Sequence, residues 1–107
     1  MSILNPDFAL ALQRYVDNVQ CAANLYYERD FPSLPKPAFA VEPGKRFVRV
    51  FEYGSQRKVH SFVDSSNGDV LKPESWKKPA RHARGNIYSE QQGLEALANY
   101  SYHVRYL

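Results

Sequence analysis

Four of the seven prolines, Pro32, Pro35, Pro37 and Pro43, fall between Phe31 and Lys45, and no other feature constrains the fold as much. Proline fixes φ, lacks an N–H and pushes the preceding residue out of helical geometry, so the stretch cannot continue a helix and reads as an extended connection over 31–45. Phe39 and Val41 can anchor it to a core. The stretch also separates two hydrophobic patterns. Before it, Phe8, Leu12, Tyr15, Val19, Ala22 and Tyr26 recur every three or four residues, which makes one stripe along a helix of about six turns. Asn5, Pro6 and Asp7 supply an N-cap, a proline at the first helical position and an acid in the first turn, so a helix is predicted from there to about Arg29. Its stripe packs either on the chain's own sheet or across the seam of a homodimer, since the repeat is too short to specify a coiled coil.

After the prolines the helical period is gone. Residues 46–53 and 57–64 are rich in Val and Phe and read as strands joined at Gly54 and Ser55. Asn67 and Gly68 signal a second reversal, which returns 69–72 as the third strand of an antiparallel meander. A loop bearing Pro, Lys and Arg follows over 72–88. Ser89 and Gln92 have the spacing of a capping box, which predicts a short second helix ending near Asn99. Tyr100, Tyr102, Val104 and Tyr106 alternate with polar residues, the pattern of a half-buried C-terminal strand. The expected fold is therefore α+β, one domain over 1–107: a long N-terminal helix, a three-stranded meander, a second helix and a final strand, with the helices on one face of the sheet.

With 107 residues and 44% hydrophobic content, the chain has enough apolar side chains for one core. A lone cysteine, Cys21, cannot close an intramolecular disulfide and suits a reducing compartment, so a cytoplasmic protein is expected. No apolar window is long enough for a membrane span, and no membrane partner is expected. Cys21 falls between apolar helix positions and reads as a small buried hydrophobe. His60, His82 and His103 are scattered without the spacing of a metal site, and no phosphate-cradling glycine loop occurs, so neither cofactor nor catalysis is expected. Asp64 and Asp69 flank a turn, where aspartates ordinarily serve the turn.

The net charge of +3 is unevenly spread. Between Lys72 and Asn86, five cations, Lys72, Lys77, Lys78, Arg81 and Arg84, face one acid, Glu74, and the rest of the chain is close to neutral. The same segment carries the only tryptophan, Trp76. Cations on a proline-stiffened loop can meet phosphates with little ordering cost, and a neighbouring aromatic ring can stack on an unpaired base. Asn86 can offer its side-chain amide to a base edge or cap a turn. Each feature also has a structural reading: Trp76 as a lid on the sheet, the lysines as a solvated face, Arg84 as a bridge to Glu90 or Asp69. Lys45, Arg46, Arg49, Arg57 and Lys58 make a second basic group around the first hairpin. If it shares a face with the loop, the nucleic-acid reading gains strength.

The segment 64–87, DSSNGDVLKPESWKKPARHARGNI, resembles a pattern found in small bacteriophage and prophage proteins, G-D-V-x-K-x-x-S-W-K-x-P-A-x-x-x-R-G-N-I. It covers Gly68, Asp69, Val70, Lys72, Ser75, Trp76, Lys77, Pro79, Ala80, Arg84, Gly85, Asn86 and Ile87, less than a third of the chain. The resemblance implies a phage-type accessory protein acting in the host cytoplasm, and it implies no reaction. Two functions suit it, beside a third, a small virion or assembly protein, which would form stable homo-oligomers. In the first, the basic loop docks on nucleic acid or on the nucleic-acid-binding surface of a nucleoprotein complex. In the second, the chain blocks a host defence protein sterically, in the anti-CRISPR manner.

Overall fold

The structure is a computed structural model that describes residues 6–54, 56–98 and 101–104. Helix α1 (Pro6–Asp30) has Asp7 in its first turn and Arg29 in its last, as the helix dipole favours. Asn5, the expected cap, lies outside the described residues. Phe8, Ala11, Leu12, Tyr15, Val16 and Val19 are buried in one cluster with Val48, Val50, Val63, Val70, Ile87 and Ala96. The stripe thus meets the chain's own sheet. Cys21 corrects its expectation: it is exposed on the opposite side of the helix.

The sheet is larger than the strand and turn signals announce. Among the described residues five strands, β1 (Ala38–Pro43), β2 (Phe47–Tyr53), β3 (Lys58–Asp64), β4 (Asp69–Pro73) and β5 (Pro79–Asn86), form an antiparallel meander in chain order. The expected three strands are the middle of it. The proline-rich connection contains β1, and the expected basic loop contains β5. Both are edge strands, where a missing N–H is tolerated and where charges discourage pairing with other chains. Pro43 accordingly ends β1 and Pro79 begins β5. Strand β5 has a charged sequence of low strand propensity, and its pairing with β4 shifts register twice. What fixes it is side-chain bonding: Asn86 Nδ2 donates to Asp69 Oδ1 at 3.0 Å and to the Asn67 carbonyl at 2.9 Å.

The second helix does not form. Residues 89–98 make turns and one 3₁₀ turn, Leu94–Ala96. The expected capping pair is used otherwise. Ser89 Oγ donates to Glu95 Oε1 at 2.8 Å, and Gln92 Oε1 accepts from Asn18 of α1 at 3.1 Å. Gln92 (φ 58°) and Gly93 (φ 94°) are left-handed, which ends any α-helix before it completes a turn. Of the expected C-terminal strand, the described residues show a bridge between Leu97 and Val104, while Tyr100 and Tyr106 lie outside them. Among the described residues no helix is long and apolar enough to cross a membrane.

Candidate nucleic-acid interface

Strand alternation sorts β2 into two faces. Val48 and Val50 enter the core under α1, so Phe47, Arg49 and Phe51 project from the outer face. Arg49 stands opposite Phe62 of β3 across the ladder and opposite Glu42 of β1 on its other side. Phe51 and Phe62 are buried on this face although α1 lies on the other, so something covers them.

The cover is Trp76. The turn between β4 and β5 closes through Lys78, whose carbonyl accepts from the N–H groups of Glu74 at 2.9 Å and Ser75 at 3.1 Å. This folds Trp76 back over the sheet. Arg49 Nε donates to the Trp76 carbonyl at 2.8 Å, and the Arg49 guanidinium lies 4.5 Å from the centre of the indole. Arg57 sits 5.2 Å from the same ring and 4.2 Å from that of Phe51, which meets Trp76 edge-on at 5.9 Å. Trp76 is therefore half-buried between two guanidinium groups, both a lid and a presented ring. Glu42 pairs with Arg49 and lies 3.8 Å from Arg57.

Beside this cluster runs an open groove of about 600 Å³ with Phe47 and Phe62 in its floor and Lys45, Arg46, Arg49 and Lys77 around it. Gly44 closes the β1–β2 turn, its N–H donating to the Phe47 carbonyl at 2.9 Å, which sets Lys45 and Arg46 at the rim. Arg46 is anchored by Asp64 at 3.0 Å and stays two-thirds exposed. Burial works to raise the Asp64 pKa, but hydrogen bonds from Ser66 and Arg46 outweigh it and hold the carboxyl below its ordinary value. Glu42 is the one acid among the lining residues.

Of the residues singled out from the sequence, Trp76 and Lys77 reach this face, and Lys78 is exposed in the same turn beside Glu74 at 3.4 Å. Arg81 is exposed on the edge strand. Lys72 lies elsewhere, with Lys58, Glu52 and His60 around Tyr102. Arg84 is buried and donates to the His82 carbonyl, and Asn86 is spent on the β3–β4 turn. Of the second basic group, Lys45, Arg46, Arg49 and Arg57 share a face with Trp76 and its groove, whereas Lys58 lies with Lys72 near Tyr102. Phe47, Phe62 and Glu42 were missed, although the alternation Phe47, Arg49, Phe51 signalled a second aromatic face on β2.

A buried polar chain crosses the core on the helix side. The Tyr102 carbonyl can only accept, so His60 Nε2–H donates to it at 2.5 Å, leaving Nδ1 to accept from Ser61 Oγ at 2.9 Å. Ser61 in turn accepts from the Tyr15 hydroxyl at 2.7 Å. Burial pushes His60 down to about 4, against the weaker opposing effect of the Tyr102 bond, and pushes the Tyr15 hydroxyl above its ordinary range. A serine next to a histidine can be a nucleophile, but Ser61 is fully buried and no substrate reaches it here. Among the described residues no three His, Cys, Asp or Glu side chains converge as metal ligands.

The model of a family described as a family of unknown function (DUF7717) matches residues 10–107. No curated protein and no solved structure matches the chain significantly.

Proposed function

The chain belongs to that family of unknown function, so its own geometry is the premise, and we propose that it binds nucleic acid through the outer face of its sheet. The observation that supports this is the meeting of two basic groups, distant in sequence, around one tryptophan: Arg49 and Arg57 flank Trp76, and Lys45, Arg46 and Lys77 rim the adjoining groove. A guanidinium stacked on a ring keeps N–H donors directed outward, so Arg49 and Arg57 can take a phosphate without leaving Trp76. Binding is by occupancy, with no bond made or broken. The basic surface moves from the β5 segment, as expected from the sequence, to the sheet face that the Trp76 turn covers.

The test is fluorescence anisotropy with labelled single-stranded DNA, duplex DNA and RNA over a salt series, comparing wild type with Lys45→Glu/Lys77→Glu. Both lysines are exposed, so the folded state should tolerate the change. Binding that falls steeply with salt and drops about tenfold or more in the variant is expected, because each phosphate contact contributes a share of the salt slope. Absence of binding at low salt to all three nucleic acids would overturn the proposal and point to a protein partner.

A further inference from the structure

We infer that the groove between the β1–β2 turn and the Trp76 turn takes an unpaired nucleotide, so that the ligand is a single strand rather than a duplex. This rests on the nucleic-acid reading above. The groove combines two chemistries that only an unpaired nucleotide uses together. Its rim carries Lys45, Arg46, Arg49 and Lys77, and its floor carries the rings of Phe47 and Phe62. The rings meet edge-on, with centres 6.4 Å apart.

Phe62 is buried, whereas Phe47 is half-buried and has the Arg46 guanidinium 5.0 Å from its centre. Arg46 is two-thirds exposed and held from one side by Asp64. A base sliding beneath it would be stacked between the guanidinium and the Phe47 ring, with its phosphate toward Lys45 or Lys77. In a duplex the faces of the bases are already stacked and cannot enter, so a duplex meets the rim cations alone. The volume of about 600 Å³ falls within the range of small-molecule clefts and admits a nucleotide or two, not the width of a paired helix. Glu42, the acid in the lining, is already paired with Arg49 and sits within 3.8 Å of Arg57, so its repulsion of a phosphate is largely neutralised.

The experiment compares three probes on the whole chain: an oligothymidylate of about twelve nucleotides, the same oligomer paired with oligoadenylate, and inorganic polyphosphate. Affinity is read by competition, and Trp76, the sole tryptophan, reports occupancy through its emission. The expected result is that the single strand binds about tenfold more tightly than the duplex and shifts the Trp76 emission. Phe47→Leu keeps an apolar contact with Phe62 but removes the aromatic face. It should weaken the single strand about fivefold or more and leave polyphosphate binding unchanged. Equal affinity for single strand and duplex, or a Phe47→Leu loss that is the same for polyphosphate, would overturn this inference while leaving the nucleic-acid reading in place. Failure of all three probes to bind would overturn both.

Discussion

Glu42 shows how a single side chain sets the character of the outer face. Its carboxylate is opposite Arg49 across the β1–β2 ladder and within 3.8 Å of Arg57, so it offsets part of the charge of both guanidinium groups. It also occupies donors that a phosphate would use. Both roles are made at a side chain 46% exposed, where an ion pair contributes well under its nominal strength, about 0 to 1 kcal/mol. The stacking of Arg49 and Arg57 on Trp76 and Phe51 and the Arg49 bond to the Trp76 carbonyl do not depend on it. Glu42→Gln should therefore cost the fold about 1 kcal/mol or less and strengthen nucleic-acid binding about threefold or more, with a steeper salt dependence. Anisotropy titrations at two salt concentrations measure this. A variant that binds more weakly than wild type would show that Glu42 serves the site by placing the arginines, and that it does not compete with the ligand.

At the scale of elements, Gly93 decides what the chain does after β5. Its φ of 94° is open to glycine, and a Cβ built there would lie 2.5 Å from the Tyr15 ring. Tyr15 is fully buried and bonded to Ser61, so it cannot swing aside. Gly93→Ala should cost about 3 kcal/mol, from left-handed strain and overpacking together, as urea denaturation would show. A loss below about 1 kcal/mol would mean that the turn relaxes away from the helix. The same glycine explains one failure of sequence reading. Ser89 and Gln92 carry the spacing of a capping box, but that signal is local, and the close approach of Tyr15 from α1 is not written at that spacing. Strands β1 and β5 were illegible for a related reason: as edge strands they need only one partner, so proline and charge are tolerated there and mask the period. Helix α1 was legible because burial on one face imposes its period, β2 and β3 by their runs of Val and Phe, and β4 by the turn signal of Asn67 and Gly68. The candidate site was half legible. Its cations and Trp76 stood out by type, but the turn that carries Trp76 onto β2, and that leaves Lys72, Arg84 and Asn86 elsewhere, is a tertiary event.

For the whole molecule, the polar chain from Tyr15 through Ser61 and His60 to the Tyr102 carbonyl joins the helix, the sheet and the C-terminal segment. In the orientation given above His60 is neutral, and burial of the ring opposes the second proton that would turn the Ser61 bond around. The folded pKa of about 4 lies below the ordinary histidine value of 6.5, with burial as the main cause. The unfolded chain therefore takes up a proton as pH falls through 6.5, while the folded chain stays neutral until about 4. Stability from this group is complete above the unfolded pKa and declines with acid across that window, by about 2 kcal/mol between pH 7 and 5. His103, also lowered mainly by burial, adds a loss of the same sign. Asp64 and Glu95, both held below their ordinary values by hydrogen bonds that outweigh burial, lose their contributions only at lower pH, so they leave this window clear. Urea denaturation at pH 7 and 5 should show wild type weakened by about 2 kcal/mol or more. In His60→Gln, whose amide can donate to Tyr102 and accept from Ser61 without titrating, only the smaller His103 contribution should remain. Equal acid sensitivity in the two proteins would move the origin of the effect away from His60 and the buried chain that joins the helix, the sheet and the C-terminal segment.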